Sequence, residues 1–157
     1  MAGTHGATGT FAVAVFTIRW FAMARVLLVE SNEFVRDVLR SEMEAAGHRV
    51  DCVGRRIEAE IALGQVAYDL LVCDMQLPDG SGHDLVTRAG TCGMRALVMA
   101  DTLEDIAEPL IAAPWVTSLH KPFKLGDLRK ALELSLGVAH PATVAAASAA
   151  ASATPGR

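Results

Sequence analysis

Short apolar runs alternate with longer segments of helical period along most of this chain. Five of the runs read as strands, at Arg25–Val29, His48–Val53, Asp69–Cys73, Ala96–Ala100 and Val116–His120. The third run is almost entirely apolar, which is typical of a strand covered on both faces. Because parallel strands need crossover helices between them, the alternation predicts an α/β domain with a five-stranded parallel sheet, doubly wound.

The predicted helices follow the strands in turn. The first begins at Ser31 or Asn32, whose side chains suit an N-cap, and ends at Gly47. Its expected inward stripe is Phe34, Val35, Val38, Leu39 and Met43. The second, Arg55–Leu63, is expected to bury Ile57 and Ile61 and to close at Gly64. The others are predicted near Asp84–Ala89, at Leu103–Ala112 with a kink or early end at Pro109, and at Leu125–Leu136 with a stripe of Leu125, Leu128, Leu132 and Leu136.

The two ends of the chain fall outside this alternation. Residues 1–22 are interpreted as an extension or disordered leader, 23–137 as the folded domain, and 138–157 as an Ala-rich disordered tail. Arg19 and Arg25 interrupt the apolar stretch from Phe11 to Val29, and residues 1–10 contain no Lys or Arg. The pattern therefore favours neither a membrane anchor nor a secretory signal.

Composition narrows the function classes. The chain is 52% hydrophobic and 20% charged, with a formal net charge of -4, so it gives no electrostatic reason to bind nucleic acid or an anionic membrane. Cys52, Cys73 and Cys92 are odd in number and lack CxxC spacing, which favours reduced core thiols and a cytoplasmic protein. The histidines at 48, 83 and 120 are not spaced as a metal set and are expected in loops or on the surface.

Polar residues follow the predicted strands at the ends where doubly wound sheets bind ligands. They are Glu30, Ser31, Asn32, Asp74, Asp101, Thr102 and Lys121. Two acids and a lysine that converge there could hold a divalent cation and a phosphoryl group. The structural alternative is that Asp74 caps a Pro/Gly turn, Glu30 is a solvated acid at a helix start, and Lys121 is a surface residue.

Three segments resemble the response regulator receiver domain over Arg25 to about Gly137. They are Arg25-Val-Leu-Leu-Val-Glu-Ser-Asn, Tyr68-Asp-Leu-Leu-Val-Cys-Asp-Met-Gln-Leu-Pro-Asp-Gly-Ser-Gly and His120-Lys-Pro-Phe. The resemblance implies a flavodoxin-like fold in which Asp74 accepts phosphate from a sensor histidine kinase or phosphotransfer protein. It further implies Mg²⁺ held by Glu30, Asp74 and the backbone carbonyl of Gln76, a phosphoryl contact from Lys121, and a cis Lys121–Pro122 bond.

Several positions depart from the family pattern. Ser31 stands where the family has the second acid after the first strand, so Mg²⁺ binding is expected to be weak. The family's switch Ser/Thr aligns best with Ala100, and Thr102 replaces it only if the loop shifts by two residues. The aromatic switch position falls on Ser118, and Asp101 adds a carboxylate near the phosphate approach. These changes predict an atypical receiver.

The leading hypothesis is a single-domain response regulator, not an enzyme, that is phosphorylated on Asp74 and signals through contact with an unidentified downstream protein. The alternative is a pseudo-receiver, an interaction module that never turns over phosphate. A phosphatase with an aspartate nucleophile would want a carboxylate where Gln76 stands. A flavin-binding protein of this fold would want a Ser/Thr/Gly-rich loop after the first strand, where the chain has Glu-Ser-Asn-Glu-Phe.

Overall fold

The computed structural model describes residues 23–137, and the segments 1–22 and 138–157 lie outside the described residues. The strands are β1 Arg25–Val29, β2 Arg49–Val53, β3 Leu70–Asp74, β4 Gln76–Leu77, β5 Gly80–Ser81, β6 Arg95–Ala100 and β7 Val116–His120. The helices are α1 Glu33–Ala45, α2 Arg56–Gln65, α3 His83–Thr91, α4 Glu108–Ile111 and α5 Leu125–Gly137, with a 3-10 turn at Leu103–Asp105.

Five parallel strands form the central sheet in the order β2-β1-β3-β6-β7. The chain first winds outward from β1 to β2 and then returns to β3 on the other side, so the strand order reverses beside β1 and β3. This arrangement confirms the predicted doubly wound α/β fold. The two shortest strands, β4 and β5, pair antiparallel and form a small hairpin directly after β3.

Each face of the sheet carries its own apolar core, because successive residues of a strand point to opposite sides. Leu39 and Met43 of α1 and Leu128 and Leu132 of α5 pack on one face. On the other face the buried residues come from α2, α3 and α4, including Ala59, Leu85 and Leu110. The inner strands β1, β3 and β6 are therefore buried on both sides along most of their length, which explains their largely apolar sequences.

The inward stripe predicted for the second helix is wrong. Ile57 and Ile61 are 49% and 54% exposed, whereas Ala59 is fully buried. Two residues correspond to about 200° around a helix, so Ala59 lies nearly opposite Ile57. The packed stripe consists of Ala59, Ala62 and Leu63, and the helix continues through Gly64 to Gln65. Apolar period alone could not choose between two stripes of similar spacing.

The first helix agrees with its predicted start and differs in its packing. Asn32 is the N-cap, and its side-chain oxygen accepts a hydrogen bond from Val35 N at 3.1 Å. The helix ends at Ala45, and Gly47 follows with a φ of 94°, a conformation that favours glycine. Phe34 is 78% exposed and Val38 also reaches solvent, so their predicted inward positions are wrong.

The segment after β6 is not the single helix predicted for Leu103–Ala112. It divides into the 3-10 turn at Leu103–Asp105 and the short α4, in which Pro109 occupies the first turn. Proline has no N–H to donate and is tolerated at that place in a helix, so α4 starts there instead of continuing from the 3-10 turn. In α5, Leu128, Leu132 and Leu136 are buried as predicted, whereas Leu125 is 38% exposed.

The cysteines are free, but only Cys73 is buried; Cys52 is half-buried and Cys92 is exposed. The interpretation of all three as core thiols is therefore wrong for Cys92. Within residues 23–137, no helix has both the length and the apolar content that a bilayer crossing requires.

Candidate functional site

The carboxyl edge of the sheet brings three of the predicted site residues together. Asp74 is the last residue of β3, and Glu30 follows β1 on the neighbouring strand. Glu30 N donates to Val53 O at 3.1 Å, which holds the start of this loop against β2. Lys121 follows β7, where its backbone N donates to Ala100 O at 2.9 Å. Because β6 lies between β7 and β3, the lysine side chain reaches across the end of β6 to the two acids.

Asp74 uses both carboxylate oxygens. Its Oδ2 accepts a hydrogen bond from Lys121 Nζ at 2.7 Å, and its Oδ1 accepts one from Gln76 N at 3.0 Å. Its side chain is only 8% exposed. The first bond is charge-assisted and the second ties the carboxylate to the start of the β4–β5 hairpin. Asp74 is therefore held in place from two directions, by the lysine across the sheet edge and by its own loop.

Glu30 is buried and incompletely satisfied. Its Oε1 accepts a hydrogen bond from Asn32 N at 2.9 Å, while its Oε2 is buried without a hydrogen-bond partner. Lys121 Nζ lies 3.9 Å from that Oε2. Burial raises the pKa of Glu30 above its usual range, and the nearby Asp74 carboxylate raises it further, against the lowering effect of the Asn32 N–H and Lys121.

A buried carboxylate oxygen without a donor is an acceptor that a cation can satisfy. Glu30 Oε2 beside Asp74 fits a divalent ion on that ground. The number of possible metal ligands is nevertheless small, because no group of three or more His, Cys, Asp or Glu side chains within residues 23–137 is placed to hold a metal. Ser31 is exposed, and Lys121 offsets part of the negative charge. These residues fit weak binding of Mg²⁺.

A basic side chain lies at the rim of this site. Arg36 Nη1 donates to the backbone carbonyl of Glu30 at 2.8 Å and lies 3.4 Å from that of Ser31. The guanidinium thus sits beside the loop where the family usually places its second acid. Nothing in the sequence pattern predicts this contact, because it depends on how α1 starts relative to the end of β1.

The three predicted switch positions are not joined to this site by any side-chain hydrogen bond among the described residues. Ala100 ends β6 and is buried. Thr102 is exposed, and its backbone N donates to Asp105 Oδ2 at 3.0 Å at the start of the 3-10 turn. Ser118 is exposed in β7, opposite Val98 of β6.

Asp79, in the loop after Asp74, and His83, at the start of α3, have contacts that the sequence did not predict. Asp79 caps the N-terminus of α2, because its Oδ1 and Oδ2 accept hydrogen bonds from Arg56 N at 2.8 Å and Ile57 N at 3.0 Å. These two N–H donors lower the pKa of Asp79, that of Ile57 most. His83 Nε2 accepts a hydrogen bond from Ala107 N at 2.9 Å. The turn chemistry of Pro78-Asp-Gly identified the loop but not its partners.

The Lys121–Pro122 peptide bond is cis, as the resemblance implied.

Comparison with known proteins identifies the family. The family model for the response regulator receiver domain matches residues 26–133, so the chain belongs to that family. It is 28% identical over 108 residues to the transcriptional regulatory protein PmrA of Pectobacterium parmentieri, an alignment covering 67% of this chain and 49% of that protein. It is 32% identical over 110 residues to the transcriptional regulatory protein PhoP of Escherichia coli, covering 66% and 48%.

Solved structures agree with this assignment. The non-phosphorylated HemR receiver domain from Leptospira biflexa superposes with a TM-score of 0.65 at 29% identity, covering 74% of this chain and 97% of that one. The chain spans about half the length of the curated relatives it matches. Receiver domains are signalling modules of two-component systems that interact with histidine kinases or phosphotransfer proteins, and they typically bind Mg²⁺ at the acidic phosphorylation site.

Proposed function

We propose that this chain is a single-domain response regulator that accepts a phosphoryl group on Asp74 and signals through protein contact. A sensor histidine kinase or phosphotransfer protein would be the donor, and the recipient of the signal would be a further protein. The free thiols and the lack of a bilayer-length helix among residues 23–137 are compatible with the cytoplasmic location expected from the sequence.

The observation that supports this proposal best is the contact of 2.7 Å between Lys121 Nζ and Asp74 Oδ2, beside the unsatisfied Oε2 of Glu30. In the transfer, an Asp74 carboxylate oxygen would attack phosphorus, the bond from phosphorus to the donor nitrogen would break, and an acyl phosphate would form. Lys121 would move from the carboxylate to the phosphoryl oxygens and offset their charge. Bound Mg²⁺, held by Glu30, Asp74 and the Gln76 carbonyl, would offset the rest.

The second candidate is a pseudo-receiver that works without phosphate. The observations in its favour are the missing second acid at the exposed Ser31 and the small number of metal-ligating side chains. The two candidates differ in a measurable property, because only the first requires Mg²⁺-dependent phosphorylation of Asp74.

The test is to incubate the full chain with Mg²⁺ and acetyl phosphate and to measure its intact mass. We expect the mass of one phosphoryl group to be added, and we expect none in Asp74→Asn or when the metal is chelated. Asp101→Asn is the matched control, since Asp101 is also an acid after a central strand but is exposed. Unmodified wild-type protein would favour the pseudo-receiver, and label retained in Asp74→Asn would show that another residue is the acceptor.

A further inference from the structure

A continuous series of contacts leads from Asp74 to the segment after β6. Asp74 Oδ1 accepts from Gln76 N at 3.0 Å, and Gln76 pairs with Ser81 across the β4–β5 hairpin. The Ser81 hydroxyl is hydrogen-bonded to His83 Nδ1 and also accepts from His83 N at 3.2 Å. His83 Nε2 then accepts from Ala107 N at 2.9 Å.

His83 is the only side chain in this series that joins two separate loops. It lies at the first position of α3, half-buried, with one ring nitrogen toward the hairpin and the other toward the residue before α4. The imidazole ring is planar and rigid, so its two nitrogens keep a fixed separation. A movement of Ser81 that displaces Nδ1 therefore also displaces Nε2. Ala107 N has no other acceptor among the described residues and precedes a helix of only four residues.

We propose that His83 is a positioning residue that couples the state of Asp74 to the conformation of the segment 103–111. This inference rests on the proposed function, because it assumes that chemistry at Asp74 changes the loop that carries Gln76. The contacts of His83 would connect Asp74 with this segment, whereas Ala100, Thr102 and Ser118 make no side-chain hydrogen bond to the site among the described residues. The hairpin is the first element to respond, since its leading N–H is bound to the acceptor carboxylate itself.

The segment 103–111 has the short, weakly held structure that allows a change of conformation. It contains one short 3-10 turn and one short helix, held by few backbone bonds, among them Ile106 N to Leu103 O at 3.1 Å and Leu110 N to Ala107 O at 2.9 Å. Short helical pieces with few hydrogen bonds have low local stability. The hydrogen bond from Ala107 N to His83 Nε2 therefore contributes a substantial part of the local stability of this segment.

The experiment uses the ¹⁵N-labelled full chain and follows the Ala107 amide by NMR. In the resting protein, His83→Leu should make this amide exchange about fivefold faster, the factor that corresponds to loss of one ordinary hydrogen bond. His83→Gln, whose amide oxygen can replace Nε2 as acceptor, should restore most of the protection. Equal exchange in wild type and His83→Leu would overturn the proposed contact.

Coupling is measured by adding Mg²⁺ and beryllofluoride, a mimic of the phosphoryl group. The Ala107 resonance should move in wild type, and its displacement should fall by more than half in His83→Leu and in Ser81→Ala, which cuts the series one step earlier. The Lys121 amide is the internal control, because it lies at the site without His83 and should move in all three proteins. An Ala107 displacement of the same size in wild type and both variants would overturn the proposal.

This design separates the two hypotheses. If neither Lys121 nor Gln76 responds to beryllofluoride in wild type, the proposed function fails, and coupling is read instead from Asp74→Ala, which removes the acceptor of Gln76 N without any ligand. That substitution should displace the Ala107 resonance in the wild-type background and by less than half as much in His83→Leu. A displacement that does not depend on His83 would contradict the coupling even though phosphorylation is absent.

Discussion

Two groups of residues share the carboxyl edge of the sheet and differ sharply in how they are connected. The acceptor cluster, Glu30, Asp74 and Lys121, is buried or half-buried and held by contacts of 2.7 to 3.9 Å. The relay positions, Ala100, Thr102 and Ser118, comprise one buried methyl group and two exposed hydroxyls. The three charged side chains at this edge are therefore connected to one another, whereas the side chains at the three relay positions are not connected to them by any hydrogen bond among the described residues.

The physical requirements of the two groups differ. Binding a phosphoryl group needs positive charge at short range. Lys121 supplies one such charge, and the two acids could hold a cation that supplies more. In the family pattern, the relay uses a hydroxyl after the fourth strand of the parallel sheet and an aromatic ring in the fifth, and Ala100 and Ser118 do not match those residue types. In this receiver domain the three charged side chains meet at the sheet edge, whereas the side chains of residues 100, 102 and 118 make no hydrogen bond to them among the described residues, so each group can be tested separately.

The largest expected effect comes from breaking the acceptor cluster. Lys121→Met should slow phosphorylation of Asp74 by acetyl phosphate roughly a hundredfold, because removing one preorganised charged donor from a phosphoryl or oxyanion site costs that much. Quench-flow or timed intact mass spectrometry measures the rate. Lys124→Met is the matched control: it removes the same charge three residues away on an exposed side chain, and we expect the wild-type rate. Similar phosphorylation rates in Lys121→Met and Lys124→Met would show that Lys121 does not take part in the transfer.

A carboxylate introduced at residue 31 should strengthen the binding of Mg²⁺ by the acceptor cluster. Ser31→Asp is expected to tighten Mg²⁺ binding about tenfold or more, since one unit charge near a cation contributes on the order of a few kcal/mol at an effective dielectric near 20. The gain is limited because the new carboxylate repels Glu30 and Asp74 in the metal-free protein and has Arg36 as a competing partner at the rim. Thermal unfolding with increasing Mg²⁺ measures both the lower metal-free stability and the larger metal-dependent rise.

Ser31→Asn is the control for this substitution, because it has nearly the same shape as aspartate without the charge. It should show the wild-type dependence on Mg²⁺. A rise in melting temperature that is no larger in Ser31→Asp than in Ser31→Asn would mean that residue 31 does not face the metal.

The sequence predicted the five strands of the parallel sheet and the position of Glu30, Asp74 and Lys121 at its carboxyl edge, because apolar runs and turn residues mark where parallel strands end. That Asp74 accepts phosphate stays a prediction. The sequence did not predict which helix stripe is buried, since Ile57 and Ile61 have the same spacing as the stripe that packs. It also missed the capping role of Asp79 and the bridging position of His83. Both contacts join loops that are distant in sequence, and only the packing of α2 and α4 against the hairpin brings their partners within reach.

Glu30 provides a test of burial in the acceptor cluster. Its folded-state pKa is raised, so the folded protein binds the proton more tightly than the unfolded chain. This group therefore contributes stability at low pH, and the contribution is lost as the pH rises from the ordinary value of 4.5 through the raised folded pKa. Without metal at pH 7, Glu30→Gln should be more stable than wild type by ~1 kcal/mol, the scale of a desolvated unsatisfied group.

Urea unfolding at several pH values measures this difference in the free energy of unfolding. The advantage of Glu30→Gln should shrink below pH 4.5, where the glutamate is neutral in both states, and it should reverse at high Mg²⁺, which only wild type can bind through this carboxylate. A constant difference across the pH range would mean that the charge of Glu30 is not what costs stability.

The smallest effect is expected at Thr102, and it decides between the two possible relay alignments. Thr102 is exposed, its backbone N is already bound to Asp105, and its side chain has no hydrogen bond to the site. Thr102→Ala should therefore change the phosphorylation rate of Asp74 by less than about twofold, as is usual for a surface substitution away from the site. Ala100→Ser instead places a hydroxyl at the end of β6, beside the strand that ends in Asp74, and should alter the rate or the lifetime of the acyl phosphate. The two variants are compared by phosphorylation with acetyl phosphate, followed by removal of the donor and timed mass spectrometry. A clear loss of rate in Thr102→Ala, with no change in Ala100→Ser, would show that the loop after β6 brings Thr102 to the phosphoryl group and that the alignment on Ala100 is wrong.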